Sequence, residues 1–194
     1  PKLLKSGHQG REFYENRHRV LQEKGYWTGE VWNRRKSGEV FAEMLTISAV
    51  RDAAGELTNY VALFTDITPL KEHQRQLEHI AHFDALTGLP NRVLLADRMQ
   101  QALTQSQRRG LPVAVLYLDL DGFKAVNDTH GHGVGDELLV ALAHRMKGAL
   151  RNGDTLARIG GDEFVAVLVD LESVGDAQPV LQRLLQAAAD PVDM

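Results

Sequence analysis

Arg158-Ile159-Gly160-Gly161-Asp162-Glu163-Phe164 lies between two short apolar runs, Thr155 to Ile159 and Phe164 to Val169. Both runs are rich in Leu, Ile, Val and Phe, the composition of strands. Two such runs joined by a glycine pair predict a β-hairpin, because glycine accepts the positive φ that tight hairpin turns require. The turn presents two adjacent carboxylates, Asp162 and Glu163, and its glycines let a large group approach the backbone. Taken alone, the same residues also describe a plain solvated acidic turn, since turns favour Gly and Asp. The rest of the chain decides between the two readings.

Upstream, Val113 to Leu118 is a nearly continuous apolar run that ends in Asp119-Leu120-Asp121. Such a run predicts a central strand buried on both faces. A carboxylate at the end of that strand is held rigidly, which suits a metal ligand. Magnesium takes oxygen ligands and is usually bound by one or two carboxylates plus substrate phosphates. Asp119 and the Asp162-Glu163 pair supply that set if their strands are neighbours, as elements close in sequence usually are.

Gly122 to Asp136 is read as a tight glycine-rich loop feeding a helix from about Val134 to Leu150, with Leu138, Leu139, Leu142, Met146 and Leu150 on its core face. Its side chains suit a purine nucleotide. A carboxylate accepts from the N1 and N2 hydrogens of guanine, and an Asn amide can donate to the ring. Lys124 can neutralise phosphate, and a helix N-terminus offers free N–H groups. His130 and His132 stand at i, i+2 with no cysteine and no third histidine at useful spacing, which favours hydrogen bonding over zinc.

Composition bounds the rest. A length of 194 residues allows one domain or two small ones. A hydrophobic content of 43% is enough for a packed core. Lys+Arg 22 against Asp+Glu 26 gives a net charge of -4, which is no basic footprint for a nucleic-acid polymer. The absence of cysteine excludes disulfides and thiolate metal sites and points to a reducing, cytoplasmic setting. No apolar run is long enough to span a bilayer, so this segment is expected to make no membrane contact, although a longer protein could be anchored upstream.

The first 67 residues have a different texture. Residues 11 to 23 are polar and helix-compatible. Tyr26 to Arg34, Val40 to Arg51 and Leu57 to Thr65 read as three strands joined by Gly-containing turns, an antiparallel meander. The run Gly25-Tyr26-Trp27-x-Gly29-Glu30-x-Trp32-Asn33-x-x-Lys36-x-Gly38-Glu39, closed by Asp66-Ile67-Thr68, resembles the later half of a PAS sensor domain. That resemblance implies a partial PAS domain over residues 1–67, lacking its early strands. The two tryptophans read as packing residues rather than cofactor stackers. Thr68-Pro69 then predicts a helix start with Thr as N-cap. The helix is expected over 68–83. Leu70 and Leu77 stand seven apart with His73 and Ile80 between and beyond them, a weak heptad seam that also suits a helix packed on its own domain.

Three motifs then converge. Asp84-x-Leu86-Thr87-Gly88-Leu89-Pro90-Asn91-Arg92 opens the second half. Asp119-x-Asp121-x-Phe123-Lys124-x-x-Asn127-Asp128-x-x-Gly131-His132-x-x-Gly135-Asp136 follows, and Arg158-x-Gly160-Gly161-Asp162-Glu163-Phe164 closes the set. In this order they resemble the GGDEF domain of diguanylate cyclases, over residues 84–194. The resemblance implies an α/β (α+β) nucleotidyl-cyclase-like sheet with flanking helices, preceded by the antiparallel PAS strands and a linker helix, with the family's last strands and helix lying beyond residue 194. It implies that two GTP are condensed into cyclic di-GMP with release of pyrophosphate, each 3′-hydroxyl attacking the α-phosphate of the other nucleotide.

Residue by residue, the resemblance makes Asp119, the Leu120 carbonyl, Asp162 and Glu163 ligands of Mg2+ (or Mn2+). Asp162 or Glu163 also serves as catalytic carboxylate, Lys124 stabilises phosphate charge, and Asn127, His132 and Asp136 hold the base and sugar of GTP. Gly122 stands where the family often carries a bulkier residue. Arg151-x-x-Asp154 falls where the family carries its inhibitory site for cyclic di-GMP, though Arg and Asp at i, i+3 also form common solvated pairs. Each domain holds one GTP, so a homodimer is implied. The competing expectations are a regulatory GGDEF domain that binds GTP or cyclic di-GMP without turnover, a downstream cyclic di-GMP phosphodiesterase, and an inactive sensor or dimerisation fragment.

Overall fold

The computed structural model describes residues 6–192. It divides into two compact units, Pro1–Gln76 and Leu77–Met194, each described by itself. The ends of those ranges, 1–5 and 193–194, lie outside the described residues.

The first unit begins with α1 (Arg11–Lys24), a polar helix that buries only Leu21 and stops at Gly25, whose φ of 77° reverses the chain. β1 (Tyr26–Arg34), β2 (Val40–Arg51) and β3 (Leu57–Asp66) form an antiparallel sheet in the order β1-β2-β3. Alternation along β1 places Trp27 and Val31 inward, where they meet Leu21 and Leu45, and Phe13 packs edge-on against Trp27 at 5.8 Å. Trp32 stacks on His8 instead. Both tryptophans are thus engaged by the unit's own side chains. All ten residues of β3 are exposed, Leu63 and Phe64 among them.

A buried polar pair links β1 to β2. Asn33 Nδ2 donates to Glu43 Oε1 at 2.7 Å, and both residues are buried. Burial pushes the Glu43 carboxyl above its usual range, the Asn33 hydrogen bond opposes this, and the charge of Asp66 adds to it. A native carboxyl that holds its proton to higher pH than the unfolded one loses stability as pH rises through its folded pKa. Glu43→Gln keeps an acceptor for Asn33 and removes that ionisation. It is expected to raise the melting temperature by a few degrees near neutral pH and to give no gain below about pH 4, as checked by calorimetric scans at both pH values.

α2 (Thr68–His82) follows and buries none of its residues. Thr68 lies inside the helix and is not its cap. Its N–H bonds Asp66 Oδ1 at 2.9 Å, and its hydroxyl bonds the backbone of Ala42. The Thr68 hydroxyl and amide, with Arg35, hold Asp66 down to about 2. Asp66 therefore takes the capping role expected of Thr68, because the Thr68 hydroxyl is drawn to the end of β2.

In the second unit, Asn91 caps α3 (Arg92–Arg109) by accepting from the Val93 and Leu94 amides, and Gly110 ends it with a φ of 69°. β4 (Ala114–Leu118), α4 (Phe123–His130), α5 (His132–Gly148), β5 (Thr155–Gly160), β6 (Glu163–Leu168), a 3-10 turn at Val174–Asp176 and α6 (Ala177–Ala189) complete the order. The sheet is antiparallel in the order β4-β6-β5. One face of β6 sends Phe164, Ala166 and Leu168 against Leu139, Leu142, Met146, Val180 and Leu184 of α5 and α6. Its other face sends Val165 and Val167 against Leu95 and Ala102 of α3.

Two expectations are corrected. The strand buried on both faces is β6, whereas β4, at the sheet edge among the described residues, has Val115 50% and Tyr117 60% exposed. The reason is that α3 packs over β5 and leaves that side of β4 uncovered. The second correction concerns Gly122 to Asp136, which is a helical pair and not one loop. Gly122 (φ 79°) and Gly131 (φ 86°) bracket the eight residues of α4, and Gly133 and Gly135 lie within α5.

Candidate active site

The pairing of β4 with β6 matches Ala114 to Leu168 and Leu118 to Phe164. Continued by one residue, this register sets Asp119 level with Glu163, the first residue of β6. Val115, Tyr117 and Asp119 alternate onto the same exposed side of β4. Tyr117 Oη hydrogen-bonds Glu163 Oε1. That bond, then burial and the charges of Glu163 and Asp119, push the Tyr117 phenol above its usual range. The phenol therefore stays protonated and donates. Two carboxylates from different strands thus share one rim, with a tyrosine fixing the rotamer of one of them. Tyr117 was not singled out from the sequence, although its period-two spacing from Asp119 is the signal that finds it.

The two-residue turn between β5 and β6 is Gly161-Asp162, entered from Gly160 at the end of β5; Gly160 and Gly161 have φ of 153° and 50°. Gly160 pairs with Glu163 across it, so Asp162 lies in the turn and Glu163 already belongs to the strand. Both are half-buried. Arg158 clamps this turn. Its Nε donates to the Gly161 carbonyl at 2.8 Å and its Nη1 to Asp84 Oδ1 at 2.9 Å. Asp84 also accepts from the Thr87 amide at 2.9 Å and the Thr87 hydroxyl at 2.6 Å. The pair is largely shielded, with side chains 11% and 22% exposed. Burial works against the Asp84 charge, but Thr87 and Arg158 outweigh it and hold its carboxyl below the usual range. The Asp84–Arg92 stretch thereby serves as a brace for the hairpin. A single residue motif gave no hint of this, because the two partners are 74 positions apart.

The second group of side chains lies on α4 and α5. Lys124, His132 and Asp136 are exposed, with His132 and Asp136 one turn apart on α5. Asn127 is half-buried, and its Oδ1 is shielded without a hydrogen-bond partner. The Leu120 carbonyl accepts from the Phe123 amide at 3.2 Å, which leaves one of its lone pairs for another contact.

Arg151 and Asp154 precede β5 and so stand at the opposite end of that strand from Gly160, about 20 Å away for six residues. Asp154 is used locally: Oδ2 accepts from the Arg151 amide and Oδ1 from the Val169 amide. Both residues line two clefts of about 280 and 310 Å³, the first with Asp170, Asp176 and Val180, the second with Arg98, Lys147 and Thr155.

Among the described residues no group of three or more His, Cys, Asp or Glu side chains is placed to hold a metal ion by itself. The donors at the Asp119 rim are all oxygens, two carboxylates and a carbonyl, with the Asp162 carboxylate in the adjoining turn. This set fits a hard cation that completes its shell with phosphate oxygens. It does not fit a softer ion held by nitrogen or sulfur.

The chain is similar to known proteins. The family described as "Diguanylate cyclase, GGDEF domain" matches residues 81–194. The bifunctional diguanylate cyclase/cyclic di-GMP phosphodiesterase MucR of Pseudomonas aeruginosa is 46% identical over 124 residues, 64% of this chain and 18% of that protein. Diguanylate cyclase TpbB of the same species is 40% identical over 123 residues, 63% of this chain and 28% of that protein. The chain thus spans less than a third of either relative. The solved coiled coil and GGDEF domain of DgcB from Caulobacter crescentus, in complex with c-di-GMP, superposes with a TM-score of 0.55 at 29% identity, covering 61% of each chain. The mixed α/β arrangement matches the nucleotidyl-cyclase-like fold of such domains. The chain belongs to the GGDEF family of diguanylate cyclase domains.

Proposed function

We propose that this chain is the catalytic part of a diguanylate cyclase, condensing two GTP into cyclic di-GMP and releasing pyrophosphate under the control of a PAS-type sensor. The observation that carries the reading is the meeting of Asp119 and Glu163 at one rim, next to the intact Gly160-Gly161-Asp162-Glu163 turn. In this reading Asp119, Asp162, Glu163 and the Leu120 carbonyl hold Mg2+ (or Mn2+), which supplies Lewis-acid stabilisation of the phosphoryl oxygens when bound. Lys124 offsets phosphate charge. Asn127, His132 and Asp136 hold the base and sugar of GTP. A carboxylate of the Asp162-Glu163 pair takes the proton of the attacking 3′-hydroxyl. Residues 1–67 are assigned to the later part of a PAS domain, 68–83 to a signalling helix and 84–194 to the GGDEF domain. GTP as substrate and the absence of cysteine support a cytoplasmic setting, and no described helix is long and apolar enough to cross a membrane.

Two nucleotides on two domains require a homodimer. Leu70, Leu77 and Ile80 are 64%, 68% and 68% exposed on α2, an apolar stripe suited to a parallel partner helix. Leu77→Glu is expected to shift the dimer toward monomer and to lower turnover in proportion, as read by sedimentation and by initial rate. Unchanged association and rate would remove α2 from the interface.

Arg151 and Asp154 are assigned to an inhibitory site for the product, Arg151 matching phosphate and guanine edges. Arg151→Ala is expected to weaken product inhibition about tenfold with little change in the uninhibited rate, as measured by titrating cyclic di-GMP into the assay.

A second reading, a longer protein that also carries a cyclic di-GMP phosphodiesterase, is favoured by the likeness to MucR, of which this chain spans 18%. The test of the leading reading is incubation of dimeric protein with GTP and Mg2+. Cyclic di-GMP and pyrophosphate are expected, with neither from Asp162→Ala. A folded dimer that binds GTP and yields no product would make this a regulatory nucleotide-binding domain.

A further inference from the structure

Arg92 is the first residue of α3 and is exposed, and among the described residues its guanidinium makes no ion pair and no hydrogen bond. Its place over the sheet follows from how α3 is held at its two ends. At the start, the Pro90 carbonyl accepts from the Arg158 amide at 3.0 Å, which fixes the entry to α3 beside the hairpin end of β5. At the other end, Gln105 and Arg109 donate to the Asp170 carboxylate, just past the far end of β6. Between these ties Leu95 and Ala102 pack on Val165 and Val167. α3 therefore runs along one face of the sheet from the Glu163 end to the Asp170 end. Arg92 stands one turn before Leu95, at the Glu163 end.

The same face carries the carboxylate rim. Val167 and Val165 pair with Val115 and Tyr117, and side chains alternate along each strand, so Tyr117, Asp119 and Glu163 all lie on the α3 side. The Tyr117 phenol registers its neighbours: the bond to Glu163 dominates and pushes it up, and the charge of Arg92 acts in the opposite direction. The free amides of the first turn of α3 are taken by Asn91, which accepts from Val93 and Leu94. What α3 brings to the rim is thus the Arg92 side chain. A guanidinium that stands beside carboxylates and pairs with none keeps its donors free, and its planar fork matches phosphate oxygens.

We propose that Arg92 is a catalytic residue, which binds the β- and γ-phosphates of the GTP at the Asp119–Glu163 rim and offsets the charge of the departing pyrophosphate. This goes beyond the diguanylate cyclase reading above and rests on it. In the reaction the 3′ oxygen of one nucleotide bonds to the α-phosphorus of the other. The bond from that phosphorus to the oxygen bridging to the β-phosphate breaks, and pyrophosphate leaves with the electron pair. Attacking and leaving oxygens lie roughly in line. The side facing the second nucleotide must stay open, so a cation from the chain that holds the nucleotide serves the leaving side.

The experiment measures equilibrium binding of 3′-deoxy-GTP, which lacks the attacking hydroxyl, and of GMP, which lacks the β- and γ-phosphates, to the full chain with Mg2+. Turnover of GTP and thermal melting are recorded alongside. Arg92→Ala is expected to weaken 3′-deoxy-GTP binding about tenfold or more and to leave GMP binding unchanged. Its kcat is expected to fall about a hundredfold, with melting within about two degrees of wild type. Arg92→Lys keeps the charge without the fork and is expected to restore part of both losses. If Arg92→Ala melts well below wild type, Arg92→Gln, which keeps much of the stem, decides the same comparison. Wild-type affinity for 3′-deoxy-GTP in these variants would overturn the proposal. So would an equal loss for GMP, since Arg92 would then shape the site without touching the outer phosphates. Wild type that binds neither nucleotide would overturn the GTP reading itself, and the proposal with it.

Discussion

Glu163→Gln is expected to lower GTP turnover by about a thousandfold or more and to leave the melting temperature within about two degrees of wild type. The substitution is nearly isosteric. Its amide oxygen still accepts from the Tyr117 hydroxyl, so the hydrogen bond that orients the side chain is retained. What is lost is the negative charge beside Asp119 at the rim. In the proposed site the cation then loses one of its three carboxylate ligands, and the same carboxylate is no longer available as a base. The check is steady-state turnover alongside thermal melting. A variant retaining a tenth of the rate would show that Glu163 is neither a metal ligand nor a base. Tyr117→Phe separates orientation from charge: its loss should be much smaller, about tenfold, because the carboxylate remains but is free to rotate.

The second large effect is on stability. Arg158→Ala is expected to destabilise the second unit by about 2 to 3 kcal/mol, at the lower end for a broken shielded pair because both side chains keep some solvent contact. Melting should fall by several degrees or more. The loss has two parts, since Asp84 is left shielded with only Thr87 as partner and the Gly161 carbonyl loses its guanidinium donor. Acid behaviour provides a second check. The Asp84 carboxyl is held below its usual range when folded. Its contribution is therefore complete above the unfolded carboxylate range and is lost as pH falls through the folded value. Arg158→Ala should accordingly be less sensitive to acid than wild type between neutral pH and about pH 3. Turnover should fall as well, because the turn bearing Asp162 is no longer braced.

Several of these features were legible in the sequence because their physics is local. The hairpin at Gly160-Gly161 and the three strands of the first unit, joined by Gly-containing turns, are each decided by a few adjacent residues. The burial of β4 was not legible. Val113 to Leu118 is apolar on both faces, yet only packing decides which face is covered, and α3 sits over β5. The helix α4 was hidden for a related reason. Glycines at both of its ends resemble a glycine-rich loop until the structure shows that Gly122 and Gly131 are its boundaries. At Thr68 two partners competed for one hydroxyl, and the β2 backbone won over the helix end. Within the candidate site, Asp119, Asp162 and Glu163 were identifiable as carboxylates at element ends. Tyr117 and the Arg158–Asp84 brace depend on pairings across strands and across 74 residues, which no run of sequence displays.

In the proposed reaction two GTP held by two copies of this domain become one cyclic product. The most direct test is the initial rate as a function of protein concentration, with product and pyrophosphate both counted. Two pyrophosphates per cyclic di-GMP are expected, with a rate per chain that rises with concentration until the dimer is saturated. Pyrophosphate or phosphate release without cyclic di-GMP, or a rate per chain independent of concentration in a protein shown to be monomeric, would contradict that reaction.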